Sequence, residues 1–132
     1  MRIPEFCIYK SFQHVCPVKD SELLAVLGHD GYGLKDESIF KEDTLNVDDD
    51  NIYKYTSFSV NEIVVAYYAL GVNFVTIDDP KYFERFLTRY NRFVAFKGSH
   101  CIGVNMGRVL DTMQKYTSEN FLDFKPEMIA LL

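Results

Sequence analysis

The chain has 132 residues, of which 48% are hydrophobic, and its formal net charge is −5. This length supports one domain, residues 1–132, with a core of its own, and it is too short for two. No cluster of Lys and Arg stands out, which argues against a nucleic acid partner, since phosphate binding needs a basic surface. No apolar run approaches a membrane span, and residues 1–12 lack the apolar core of a signal peptide, so we expect no membrane partner.

The three cysteines, Cys7, Cys16 and Cys101, are an odd number without Cys-x-x-Cys spacing. Such a set argues against a disulfide framework and against a structural zinc site. We therefore expect no metal and no cofactor. We expect a reducing, cytoplasmic setting, either in the cell of origin or in a host cell that receives the protein. Cys7 falls in a segment that we interpret as a strand, and Cys101 is expected in the core.

The first helix is predicted from the segment CPVKDSELLAVLG. Pro17 suits the first helical position, and Gly28 ends the pattern. The apolar face of this helix consists of Leu23, Leu24 and Leu27. The following residues, 29–55, are rich in glycine at first and acidic later, without sustained periodicity. They predict a long surface excursion that contains at most one helical turn.

Two further helices carry clear end signals. In SVNEIVVAYYALG, Ser59 and Glu62 form a capping box, and Gly71 follows the last apolar residue. In DPKYFERFLTRYN, Asp79 is the predicted cap and Pro80 occupies the first helical position. The segment VNFVTI between these helices predicts a strand.

The second half of the chain predicts a run of antiparallel strands. RFVAF, HCIGV and RVLDT follow one another, and a turn at NMG joins the last two. ENFLDFKPEMIALL is compatible with a strand or with a short helix, and its apolar end is expected to join the core. Helices followed by antiparallel strands are typical of the α+β class, here an N-terminal helix packed on a small antiparallel sheet.

Three residues match the requirements of a thiol enzyme. Such an enzyme needs a thiolate, a histidine within hydrogen-bonding reach, and a third group that fixes the imidazole. Cys16 lies at the predicted helix start, where free N–H groups and the helix dipole favour negative charge. His100 opens a predicted strand. Asp111 lies on the next strand, across the turn, where antiparallel pairing brings residues close together.

Several stretches resemble the papain-like cysteine peptidase superfamily, most nearly its bacteriocin-leader (C39-like) branch. They are FQHVC and LGVNFVTID, each before a helix, and RFVAFKGSHCIGV followed by a turn and RVLD. The resemblance covers about residues 12–113. It implies a papain-like fold and a thiol hydrolase that acts on an amide bond, by peptide cleavage or by glutamine deamidation. It also implies roles for Cys16 as nucleophile, His100 as base, Asp111 as its orienting partner, and Gln13 as a donor to the oxyanion.

The same chain allows a second interpretation, a non-catalytic acidic binding protein. It would be of the immunity or inhibitor type, or an inactive papain-like relative. Pro17 favours this interpretation, because a proline directly after the cysteine removes a backbone N–H beside the site. The run Asp48-Asp49-Asp50 favours it too. This run lacks the ligand spacing of a calcium loop and suits a basic protein partner.

Each candidate site residue also has a plainer interpretation. Cys16 could be a small buried apolar residue near a helix end. His100 could bond to backbone groups at a strand end, and Asp111 could accept hydrogen bonds from turn amides. His14 and His29 flank the first predicted helix, and either could replace His100 as the base if the elements pack differently.

Overall fold

The structure, a computed structural model, describes residues 2–29, 57–88 and 91–132. Within these residues the helices are α1 (Glu5–Val15), α2 (Asp20–His29), α3 (Val60–Ala69) and α4 (Phe83–Leu87). The strands are β1 (Arg2–Pro4), β2 (Ser57–Ser59), β3 (Val75–Ile77), β4 (Arg92–Lys97), β5 (His100–Asn105), β6 (Arg108–Leu110) and β7 (Met128–Leu131). Short 3-10 turns lie at Pro80–Tyr82 and Phe121–Phe124. The fold is α+β, as the sequence predicts.

The main sheet is antiparallel throughout and has the strand order β3-β7-β4-β5-β6. β1 and β2 form a separate antiparallel pair. The hairpin β4–β5 pairs Lys97 with His100, and the hairpin β5–β6 pairs Asn105 with Arg108. Within the three described ranges, no helix has the length and apolar character needed to cross a membrane.

The tight turn between β5 and β6 fixes where the chain goes next. Met106 has φ +53° and Gly107 has φ +86°, so both turn residues are left-handed. Turns of this kind match the twist of the strands that they join. β6 therefore runs back along β5 toward its beginning, and the chain leaves β6 at Asp111, one residue after the pair Gly103–Leu110. The predicted hairpin is confirmed.

The helix-end signals are also confirmed. The Glu62 N–H donates to Ser59 Oγ at 3.3 Å, and the Ser59 N–H donates to the Glu62 carboxylate at 3.0 Å, which completes the capping box of α3. Gly71 has φ +87° just after the end of this helix. Asp79 accepts a backbone hydrogen bond at the start of the turn Pro80–Tyr82, and α4 continues from that turn.

The N-terminal part of the chain differs from the prediction. Cys7 lies in α1 and not in a strand, and Cys16 directly follows this helix rather than opening the next one. α2 begins at Asp20, three residues after Pro17. The reason is visible in the burial of α1. One stripe of α1 faces the core, because its buried side chains recur at helical spacing. They are Cys7, Ile8, Phe12 and Val15.

Two other predictions have definite outcomes. The C-terminal segment that was open between helix and strand forms β7, and its Ile129 and Ala130 are fully buried. The acidic excursion, with residues 36–50 and the run Asp48-Asp49-Asp50, lies outside the described residues. The same is true of the side chains of Leu24 and Leu27, so the predicted apolar face of α2 is described only at Leu23, which is buried.

The hydrophobic core occupies both faces of the main sheet. On one face α1 is central, and its Phe12 ring lies 4.8 Å from that of Phe74 and 5.3 Å from that of Tyr67. Full burial of an aromatic side chain of this size stabilises the fold by about 2–3 kcal/mol. The opposite face is covered by a second cluster that includes Phe83, Phe93 and Phe124. The packing on Phe12 holds α1 against the sheet.

α1 lies unusually close to β5 at one point. A Cβ atom built on Gly103 would come within 2.5 Å of the Ser11 carbonyl oxygen, a distance that real side chains do not adopt. Near the end of the helix, Asn105 Nδ2 donates to the His14 carbonyl at 3.0 Å. α1 and β5 therefore run side by side in the same direction, and the first turn of α1 lies beside the start of β5.

Replacement of Gly103 by alanine tests this close approach. The new methyl group would push against a backbone atom, so we expect Gly103→Ala to reduce the free energy of unfolding by about 2–3 kcal/mol in urea. Gly98→Ala is the matched control, because Gly98 has open space around it. Its left-handed φ of +60° limits the expected cost to about 1 kcal/mol. Equal losses in the two variants would contradict the close approach.

Candidate active site

The central feature of the site is an ion pair between His100 and Asp111. Nε2 of His100 lies 2.8 Å from Oδ1 of Asp111. The Asp111 carboxylate is fully buried, and the His100 side chain is 20% exposed. The structure thus brings together two of the residues singled out in the sequence, because the β5–β6 hairpin returns the chain to the start of β5.

The Asp111 carboxylate is fixed by its own loop. The Met113 N–H donates to Oδ1 at 2.9 Å, and the N–H groups of Lys115 and Tyr116 donate to Oδ2 at 3.0 and 2.9 Å. Burial alone would raise the pKa of Asp111, but the hydrogen bonds from His100 and from these backbone groups lower it to about 2. Asp111 is therefore a carboxylate at all ordinary pH values.

His100 is held as a cation. Burial alone would lower its pKa, but side-chain hydrogen bonds with Asp111 and Cys7, together with their charges, raise the pKa to about 9. On its other side, the imidazole packs edge-on against the ring of Phe124, with 6.2 Å between the ring centres. Asp111 occupies Nε2, so Nδ1 is the ring nitrogen that remains for the thiol of Cys7.

Cys7 reaches this position because of its place in α1. It lies in the first turn, where backbone N–H groups have no partner within the helix. A helix N-terminus and a neighbouring imidazolium both favour the thiolate form of cysteine. Thr112 Oγ1 also donates to the Cys7 sulfur at 3.2 Å. The His100 imidazole thus lies between the Cys7 thiol and the Asp111 carboxylate.

The structure does not bring Cys16 to this site. It comes nine residues after Cys7, so the rise of a helix carries it about 13 Å along α1. There it is partly buried against the core cluster that contains Phe12 and Tyr67. The predicted position of Cys16 at a helix start is wrong, because the residues around Pro17 connect two helices. Its plainer interpretation, as a small apolar residue near a helix end, fits this position.

Gln13 is also placed away from the site. Its Nε2 donates to the Val18 carbonyl at 2.8 Å, and its Oε1 accepts from the Val18 N–H at 2.8 Å. The same Nε2 contacts the Tyr9 hydroxyl and Asp20 Oδ1. Both ends of the amide are therefore used to join α1 to α2. Gln13 lies more than a helical turn beyond Cys7, so its geometry gives no support to a role as oxyanion donor.

The other histidines and the third cysteine have separate positions. Nε2 of His14 lies 2.8 Å from the Arg108 carbonyl, near the end of α1 that is remote from Cys7. The side chain of His29 lies outside the described part of the chain. Cys101 is fully buried and its thiol donates to Ser11 Oγ at 3.4 Å. Burial raises the pKa of the Cys101 thiol, which suits the core position expected from the sequence.

In the described ranges, no group of three or more His, Cys, Asp and Glu side chains is arranged to hold a metal ion. Neither a scan against protein-family models nor searches of curated proteins and of solved structures found a match to this chain.

The spacing of apolar residues around Cys7 indicates a helix, although this segment is predicted above as a strand. Cys7, Ile8, Ser11, Phe12 and Val15 repeat at intervals of three and four residues, which is the pattern of a buried helix face. The aromatic and β-branched side chains among them favoured a strand by propensity. A test of periodicity over the first 15 residues would have placed Cys7, rather than Cys16, in the first turn of a helix.

The pKa shifts of His100 and Asp111 predict how the free energy of unfolding depends on pH. The pKa of His100 is raised from 6.5 to about 9, so its contribution is complete below pH 6.5 and is lost as the pH rises through 9. The pKa of Asp111 is lowered from 3.8 to about 2, so its contribution is present above pH 3.8 and is lost as the pH falls through 2. The full effect thus lies between these limits, at about pH 4–6.5.

We expect Asp111→Asn to lower the free energy of unfolding by about 2–3 kcal/mol near pH 6. The loss should shrink as the pH rises from 6.5 to 9 and stay small above pH 9, where the imidazole is neutral. Urea unfolding at several pH values measures it. Asp78→Asn, at an exposed loop carboxylate, is the control and should change little at any pH. A loss that is the same at pH 6 and well above pH 9 would contradict the ion pair.

Proposed function

We propose that this protein is a thiol hydrolase that acts on an amide bond through Cys7, His100 and Asp111. The observation that carries the proposal is the position of the His100 imidazole, which bonds to a buried carboxylate through Nε2 and lies near enough to the Cys7 thiol for that group to raise the pKa of His100. This is the arrangement that activates a cysteine nucleophile and fixes its base. The nucleophile proposed here is Cys7, in place of Cys16.

In the first half of the reaction, the Cys7 thiolate attacks the carbonyl carbon of the amide. Nδ1 of the His100 imidazolium gives its proton to the amide nitrogen, so that the C–N bond breaks and the amine leaves. The acyl group remains on Cys7 as a thioester, and His100 becomes neutral. Asp111 stays ionised throughout and keeps the ring in place.

In the second half, neutral His100 removes a proton from water, and the resulting hydroxide attacks the thioester carbonyl. The C–S bond breaks, a carboxylic acid is released, and Cys7 returns to its starting form beside the protonated imidazole. The oxyanion formed in each half needs hydrogen-bond donors. The first turn of α1 provides such donors, because its backbone N–H groups have no partner within the helix.

A papain-like fold is part of the proposal. Three features support it: a cysteine in the first turn of a helix, a histidine at the start of a strand, and an aspartate just after the next strand. The partner in catalysis would be a peptide or protein substrate. Peptide cleavage and deamidation of a glutamine side chain use the same acyl-thioester chemistry, and they differ only in which amine leaves.

A second candidate is a non-catalytic binding protein, an inactive relative that keeps the site residues. The observation that favours it is the burial of Cys7, which is only 3% exposed, so a large substrate has little access to the sulfur. The net charge of −5 would suit a basic protein partner. In this case Cys7, His100 and Asp111 would hold α1 to the hairpin without turning over any substrate.

Alkylation by iodoacetamide separates the two candidates. We expect Cys7 to be labelled faster than Cys16 at pH 7, although Cys16 is the more exposed, because only Cys7 lies beside an imidazolium. His100→Gln should slow the labelling of Cys7 by about 10-fold to 100-fold, whereas Cys16→Ser should leave it unchanged. Peptide mapping by mass spectrometry identifies the labelled residue. Preferential labelling of Cys16 would argue for the binding protein.

Incubation with mixtures of unfolded proteins then identifies the reaction. Mass spectrometry distinguishes peptide cleavage, which creates new chain ends, from deamidation, which converts Gln into Glu. Cys7→Ser should abolish either product, and Cys16→Ser should retain it. Loss of activity in Cys16→Ser with retention in Cys7→Ser would overturn the assignment of the nucleophile.

A further inference from the structure

We propose that Thr112 is a positioning residue for the nucleophile: its buried hydroxyl donates a hydrogen bond to Cys7 Sγ, fixes the direction of the sulfur and favours its anionic form. This inference rests on the proposed function, because it concerns the same thiol. It adds a fourth residue to the site, one that the sequence did not single out.

The chemistry of the contact between Thr112 and Cys7 supports this role. Thr112 Oγ1 lies 3.2 Å from Cys7 Sγ, and the two residues are only 1% and 3% exposed. A hydroxyl that is removed from water needs an acceptor for its proton, and a neutral thiol is a weak one. A thiolate is a strong acceptor, because hydrogen bonds to charged groups are shorter and about twice as strong. The burial of this hydroxyl against sulfur therefore suits a thiolate.

The position of Thr112 in the chain also supports this role. It directly follows Asp111, so two consecutive residues contact the two halves of the proposed ion pair. Asp111 bonds to the His100 ring, and Thr112 bonds to the Cys7 sulfur. The backbone N–H groups that bind the Asp111 carboxylate hold this segment in place. The distance between sulfur and imidazole is thus set by one rigid dipeptide.

Cys101 provides an internal comparison. It too lies next to a hydroxyl, but its thiol donates to Ser11 Oγ at 3.4 Å, so the direction of the hydrogen bond is reversed. Cys101 is fully buried, and burial raises the pKa of its thiol although the hydrogen bond with Ser11 lowers it. A hydroxyl that donates to sulfur suits a thiolate, and this is the direction of the bond at Cys7.

The experiment measures the rate of iodoacetamide labelling of Cys7 as a function of pH, in a Cys16→Ser background. Thr112→Val keeps the shape of the side chain and removes the hydroxyl, whereas Thr112→Ser keeps the hydroxyl. We expect Thr112→Val to shift the midpoint of the pH profile upward by about one pH unit, which lowers the rate at acidic pH about 10-fold. Thr112→Ser should stay close to the parent protein.

At high pH, where the thiol is ionised in all variants, Thr112→Val should be as fast as its parent or up to about 3-fold faster, because a more basic thiolate is the better nucleophile. Ser11→Ala is the matched control. Ser11 lies on the same helix as Cys7, but its buried hydroxyl contacts Cys101 on β5. Removing that hydroxyl should leave the midpoint for Cys7 unchanged.

An unchanged midpoint in Thr112→Val, whatever its melting temperature, would overturn the inference and leave Thr112 with a packing role. Equal shifts in Thr112→Val and Thr112→Ser would also overturn it, since they would assign the effect to altered packing of the side chain rather than to the hydroxyl. Should Thr112→Val fail to fold, Thr112→Ala against Thr112→Ser makes the same comparison. Failure of the proposed function has a different signature, a Cys7 labelling rate that His100→Gln does not slow.

Discussion

The close contact between the backbones of α1 and β5 at Gly103 is the constraint on which the site depends. Because Gly103 has no side chain, Ser11 can approach the strand directly, and the first turn of α1 comes level with the start of β5. Cys7 and His100 lie on these two elements and are 93 residues apart in the chain. No contact between neighbours in sequence could bring them together. The packing of a helix on a strand does so.

The electrostatics of the site follow from burial. Removing a carboxylate from water costs several kcal/mol unless other groups replace the lost hydrogen bonds. For Asp111, three backbone N–H groups and the His100 ring replace them. The carboxylate in turn keeps the imidazole charged. Each member of the ion pair is therefore stable in its ionised form because the other is.

The part of the site that depends on local pattern could be predicted from the sequence. A short apolar run and an Asn-Met-Gly turn define the β5–β6 hairpin, and this hairpin returns the chain toward His100 so that Asp111 can reach it. The capping box of α3 is likewise a local signal, with its two partners three residues apart.

Which cysteine lies beside His100 could not be predicted in the same way. Cys7 and Cys16 both lie near a helix end, and Pro17 favoured Cys16 because proline is typical of a helix start. The difference between them is which end of α1 lies beside His100, and this depends on tertiary packing at Gly103 and Phe12. The hydrogen bonds of Gln13 also depend on tertiary packing, since its partner Val18 lies beyond the end of α1.

The position of β7 has a consequence for how the protein is made. β7 follows β6 in the chain, but it lies between β3 and β4 in the sheet. All the residues of the thiol site precede it, so a nascent chain contains the complete site while one edge of β4 still lacks its neighbour. Unpaired strand edges promote aggregation. Until residues 128–131 emerge from the ribosome, that edge of β4 is therefore open to pairing with a strand of another chain.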